Sequence, residues 1–135
     1  MRTMITREIK AGSLRFTADE VGDGPLVLCL HGFPDHRDTW RYQREALADA
    51  GYRVICPSLR GYEPGSQPAD GDYHLEALGQ DVLSWLDDLR VERAHLIGHD
   101  WGAGIVTVAA NLAPHRIISL TTLNLPPLQG MRAMI

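Results

Sequence analysis

The sequence predicts an α/β domain, a mostly parallel sheet with helices on both faces, built from about six strands and three helices. Three observations carry this expectation. Short, largely apolar runs at Leu26–Leu30, 52–56 and 94–98 are too short for helices and read as strands covered on both sides. Segments with helical spacing lie between them. Each run ends in a loop marked by glycine or proline, at the carboxyl edge where sheets of this kind hold ligands.

Taken in order, residues 4–9 and Leu14–Val21 are amphipathic strands around Ala11-Gly12-Ser13, a hairpin by its turn residues. After Gly22-Asp23-Gly24-Pro25 the apolar strand Leu26–Leu30 stops at His31-Gly32-Phe33-Pro34. Trp40, Leu47 and Ala50, with Arg and Glu between them, predict a one-sided helix over 39–50, which Gly51 ends. A strand at 52–56 leads into 57–71, whose prolines and glycines make it a loop. Leu75, Leu78, Val82, Leu86 and Leu89 then follow at helical spacing, with Glu76, Gln80, Asp87 and Asp88 opposite. Residues 94–98 form another short strand. Residues 101–113 are apolar nearly all round and predict a buried helix that ends before Pro114. A last strand covers 117–125, ahead of Pro126-Pro127.

Composition narrows the function. The chain has 135 residues, 13 Lys+Arg against 17 Asp+Glu and a formal charge of −4, so no basic field is present to attract a nucleic acid. With 44% hydrophobic and 22% charged residues it reads as one soluble globular domain, and disorder is excluded. Lys10 is the single lysine, in an expected edge strand, which leaves no other lysine nucleophile. No signal-peptide pattern or long apolar span is seen, so the expectation is a cytoplasmic protein without membrane contact. Cys29 and Cys56 sit in apolar runs and read as buried reduced thiols, neither with a nearby second ligand. Asp35, His36 and Asp38 lack metal-ligand spacing and read as caps and solvated loop positions; no metal or cofactor is expected. A dinucleotide site is disfavoured, because no Gly-x-Gly-x-x-Gly follows the first parallel strand.

The chemistry gathers at Gly98-His99-Asp100-Trp101-Gly102. A strand that turns at once into a helix strains its corner residue and brings the flanking backbone together, so positions two before and two after must be small. Gly98 and Gly102 meet that demand around Asp100, and Gly104 lets the helix lie close to the sheet. Asp100 is then thrust out beside the helix N-terminus. An isolated Asp before a helix is ordinarily an N-cap; the paired glycines and the buried strand argue for more.

These motifs, with His31-Gly32-Phe33-Pro34 and Arg60-Gly61-Tyr62, each after its own strand, resemble the α/β-hydrolase fold. More narrowly they resemble its aspartate-nucleophile branch of epoxide hydrolases and haloalkane dehalogenases. The resemblance implies that Asp100 attacks a saturated carbon and becomes an alkyl ester, which water later cleaves. It further implies an oxyanion hole made by the backbone N–H groups of Phe33 and Trp101, and a substrate pocket at Phe33, Pro34 and Trp101. His31, Gly32, Gly98, His99 and Gly102 are then structural, Arg60 anchors its loop, and Tyr62 packs. In this family the Phe33–Pro34 bond is often cis. The implied substrate is a small apolar epoxide or, alternatively, an alkyl halide. The HGFP and GHDW forms are nearer to epoxide hydrolases, and Phe33 has no side-chain donor for a halide.

The sequence also departs from the family. Triad order there is nucleophile, acid, histidine, yet no Asp or Glu follows Asp100, and Asn124 stands where some dehalogenases place their acid. His115, the only later histidine, belongs to the far end of the nucleophile helix, and His99 is expected to point away from Asp100. Ser58 replaces a frequent Asp, and Glu63-Pro64-Gly65 lengthens the neighbouring turn. The expectation is a single domain, 1–135, forming the N-terminal part of a truncated hydrolase core, with cap and C-terminal strands missing after about 126. The strand at 117–125 would then be an uncovered edge, and a non-catalytic module that self-associates through it is the alternative reading.

Overall fold

The computed structural model describes residues 2–125. Its β-strands are β1 Ile5–Ala11, β2 Leu14–Val21, β3 Leu26–Leu30, β4 Arg53–Pro57, β5 Ala94–His99 and β6 Ile117–Leu123. The α-helices are α1 Arg41–Asp49, α2 Leu75–Leu89 and α3 Trp101–Leu112. One sheet runs in the order β1-β2-β4-β3-β5-β6. The β1–β2 and β2–β4 pairs are antiparallel, and β4, β3, β5 and β6 are mutually parallel.

Period-two alternation along β3 splits its side chains between two cores. Leu26, Leu28 and Leu30 join Phe16, Ile55, Leu96 and the buried faces of α2 and α3. Val27 and Cys29 join Val21, Val54, Cys56, Trp40 and Ala48 beneath α1. All five residues of β3 are buried, as a central parallel strand requires. Each large aliphatic side chain withdrawn from water there contributes about 1.5–3 kcal/mol before the entropy of ordering it.

Several boundaries move for physical reasons. Pairing of Ala11 with Leu14 carries β1 past residue 9 and leaves a two-residue turn, with Gly12 at φ 58°. The 39–50 helix divides into a 3₁₀ turn, Arg37–Trp40, and α1. Its buried residues are Trp40, Arg44 and Ala48; Leu47 is half-buried and Ala50 exposed. Arg44 joins that face because its guanidinium reaches Asp19 at 3.9 Å and Asp38 at 3.3 Å. The buried helix expected over 101–113 stops at Leu112, and Trp101 and Leu112 at its two ends are exposed. The 57–71 loop holds a short 3₁₀ turn, Pro64–Ser66.

Cys29 and Cys56 are free and buried, but they are not isolated from one another. The β3–β4 register sets them side by side, and a hydrogen bond to Cys56 together with burial pushes the Cys29 thiol well up. Strand β6 is paired only with β5 among the described residues, and Ile118, Leu120 and Leu123 are exposed. Pro126-Pro127, where the sequence suggests a further domain begins, lies outside the described residues. No helix among the described residues is long and apolar enough to cross a membrane.

Candidate active site

Strand β5 passes into α3 through Asp100, whose backbone sits at φ 58°, ψ −119°. Such a conformation is strained for a residue with a side chain and persists only where the surroundings enforce it. Two contacts enforce it. A Cβ on Gly98 would strike the carbonyl of Gly102, and one on Gly102 would strike the carbonyls of Leu30 and His31. The corner therefore closes only with glycine at both positions. Backbone bonds complete it: the Asp100 N–H donates to the Leu123 carbonyl at 3.0 Å, and the Ala103 N–H donates to the Asp100 carbonyl at 3.0 Å.

The Asp100 carboxylate makes no capping bond to its own helix. Oδ2 instead accepts the Phe33 N–H at 3.1 Å, from the loop that follows β3. That bond, reinforced by the Trp101 N–H nearby, holds the carboxyl below its usual value. Asp100 is thus an anion at neutral pH, held by the Phe33 N–H with the Trp101 N–H nearby.

The β3 loop is braced from below. The Phe33–Pro34 peptide is cis. His31 is fully buried; its Nδ1 bonds the Gly32 carbonyl at 2.9 Å, and Nε2 accepts the Leu59 N–H at 3.1 Å. This pairing selects the neutral tautomer with its proton on Nδ1, and burial lowers the imidazole pKa. Tyr62 packs edge-on against the His31 ring, centroids 4.7 Å apart, and its hydroxyl donates to the Gly32 carbonyl at 3.3 Å. The sequence reading of Tyr62 as a packing residue thus misses a hydrogen bond to the loop.

Arg60 anchors the next loop. Nε and Nη2 donate to the two Asp81 oxygens at 2.8 and 2.7 Å, and Nη1 donates to the Asp72 carbonyl at 2.8 Å. The hydrogen bond to Asp81 raises the Arg60 pKa, while burial pushes the Asp81 carboxyl up against the opposing pull of Arg60. The Asp81 side chain is only 4% exposed, so Arg60→Ala strands a buried carboxylate. The expected loss is about 3 kcal/mol at neutral pH. Without the guanidinium, Asp81 titrates higher in the folded chain than in the unfolded one. Stability of the variant then falls as pH rises from the usual carboxylate range through that raised value, and acidification restores part of it. Urea midpoints at pH 5 and pH 8 check both the size and the sign.

Above the corner lies a cavity of about 320 Å³, lined by Phe33, Leu59, Arg60, Tyr62, Tyr73, Leu78, Trp101 and Ile105. Phe33 and Trp101 are 66% and 52% exposed, so the two residues flanking the carboxylate present large apolar surfaces. Pro34 is not among the lining residues. Of the rest, Leu78 and Ile105 were legible only as core stripes of their helices. Tyr73 carried no signal; it reaches the cavity because its ring packs over Gly61, where a Cβ would meet it at 2.5 Å.

The other candidates lie elsewhere. His99 Nε2 accepts from Asn124 at 3.0 Å, so the ring is turned toward the β6 end. His115 is exposed beyond α3. His36 caps its 3₁₀ turn by accepting the Asp38 N–H. Ser58 is buried and bonds Arg37 at 2.9 Å, within a network that Asp19 completes. No cluster of three or more metal-ligating side chains occurs among the described residues.

With this corner, loop and cavity at the carboxyl edge of the sheet, comparison with known proteins is direct. The family described as alpha/beta hydrolase fold matches residues 25–134, and the chain belongs to that family. Several of the individual matches are epoxide hydrolases. An epoxide hydrolase of Caballeronia sordidicola is 42% identical over 121 residues, which cover 88% of this chain and 36% of the relative. Epoxide hydrolase A of Mycobacterium tuberculosis is 40% identical, over 90% of this chain and 39% of its own length. The crystal structure of epoxide hydrolase A from Mycobacterium thermoresistibile superposes with a TM-score of 0.86 at 38% identity, covering 98% of this chain and 45% of that one. The chain therefore spans less than half the length of these relatives.

Proposed function

We propose that this chain is the N-terminal part of an epoxide hydrolase core in which Asp100 is the nucleophile. An Asp100 oxygen forms a bond to an epoxide carbon, the ring C–O bond breaks, and the released alkoxide takes up a proton, leaving a hydroxyalkyl ester. The Phe33 N–H, which holds the carboxylate beforehand, and the Trp101 N–H nearby form the oxyanion hole: they face the remaining ester oxygen and stabilise the anion formed when water attacks. The observation that carries this reading is an anionic carboxylate on a strained corner, held by the Phe33 N–H beside an apolar cavity. The names of the relatives support an epoxide over an alkyl halide, as does the absence of any side-chain donor on Phe33.

Turnover needs a base to activate water, and no histidine among the described residues faces Asp100. The acid, the histidine and a helical cap belong, in this proposal, to the part of the whole protein that follows residue 126 or so. The buried reduced thiols favour a cytoplasmic setting.

The test is covalent capture. The chain incubated with styrene oxide acquires one hydroxyalkyl mass on the peptide containing Asp100, faster than it does with an alkyl bromide. Because Asp100 stays ionised, the capture rate is flat from roughly pH 5 upward to pH 8. The exposed β6 edge favours a second reading, a self-associating module without chemistry. A discrete folded oligomer that forms no adduct would select it.

A further inference from the structure

We infer that Tyr62 is a positioning residue that aims the Phe33 N–H at Asp100 through the carbonyl of Gly32; the inference deepens the reading of Asp100 as nucleophile and rests on it. A peptide unit is planar, so the Gly32 carbonyl and the Phe33 N–H point in opposite directions and turn together. The N–H end meets Asp100 Oδ2 at 3.1 Å. The carbonyl end receives two donors, His31 Nδ1 at 2.9 Å and the Tyr62 hydroxyl at 3.3 Å, which occupy both lone pairs of the oxygen.

This bracing answers a need set by the site itself. A Cβ at residue 32 would fall 2.5 Å from the Asp100 Cβ, so only glycine lets the loop approach the carboxylate. Glycine also frees the peptide to rotate. Two donors on its carbonyl remove that freedom, and by polarising the peptide they strengthen the N–H as a donor. His31 can donate from Nδ1 because the Leu59 N–H occupies Nε2. Tyr62 adds its ring against His31, so one side chain holds both the peptide and its other donor.

The experiment uses the 135-residue chain and two NMR readouts: hydrogen exchange of the Phe33 amide and titration of the Asp100 carboxyl. In Tyr62→Phe, which keeps the ring and removes the hydroxyl, Phe33 exchange accelerates about fivefold, as expected for one hydrogen bond of about 1 kcal/mol. The Asp100 titration moves up toward the ordinary aspartate value. Tyr73→Phe, altering another tyrosine of the same cavity, changes neither. 3-Fluorotyrosine at position 62 keeps the hydroxyl, makes it a stronger donor, and moves both readouts the opposite way; it serves as well if the phenylalanine variant fails to fold. Wild-type values for both readouts in a folded Tyr62→Phe, or no change with fluorotyrosine, overturn the inference. Failure of the wild-type chain to capture an epoxide while these readouts shift would instead remove the proposed reaction and leave the positioning role intact.

Discussion

Asp100→Asn is expected to abolish epoxide capture, lowering the adduct rate by about three orders of magnitude or more, while the fold is retained. Removing the anion removes the attacking electron pair, and a carboxamide oxygen is far too weak a nucleophile toward a saturated carbon. The corner itself tolerates the change. Asparagine accepts positive φ better than almost any residue but glycine, and its carbonyl can still receive the Phe33 N–H that now meets Oδ2 at 3.1 Å. Stability should therefore stay within about 1 kcal/mol of wild type. Intact mass, peptide mapping and a thermal melt on the same sample separate the two effects. An adduct that persists undiminished in this variant, on Asp35 or on a histidine, places the reactivity elsewhere.

Gly102→Ala tests the opposite quantity, with a large loss of stability expected from one methyl group. The added Cβ points at the carbonyls of Leu30 and His31, which are backbone atoms at the end of a fully buried strand and cannot rotate away. Relief requires α3 to lift from β3, opening the core that Ile105, Val106 and Ala109 share with Leu28 and Leu30. A cost of about 3 kcal/mol or more is expected, read as a lowered urea midpoint. The same lift separates the Trp101 N–H from the Phe33 N–H, so any folded Gly102→Ala should also capture epoxide more slowly. A midpoint equal to that of wild type would mean that the corner is looser than its contacts imply.

Much of this architecture is legible in the sequence. The apolar run of β3, the 3-4-4-3 spacing of α2 and the glycine pair around Asp100 are local patterns, and local patterns carry the element order and the strained corner at Asp100. Reading failed where a side chain serves a partner remote in sequence. Arg44 breaks the apolar stripe of α1 because Asp19, on β2, is there to receive it. Asp81 looks like one more polar residue of α2 until Arg60 is placed beside it. Cys29 and Cys56 seemed separate until adjacent strands brought them together.

The sequence by itself determined the corner: only glycine permits the backbone approach that exposes Asp100, and the carboxylate it places there is what the proposed attack at saturated carbon rests on. Tertiary structure decided how that carboxylate is held. The Phe33 donor comes from 67 positions away and its Tyr62 brace from 30 beyond Gly32, distances over which chain order says nothing about direction. A hydrogen bond depends on angles and tenths of an ångström, and those are set only when the sheet, α3 and both loops pack at once.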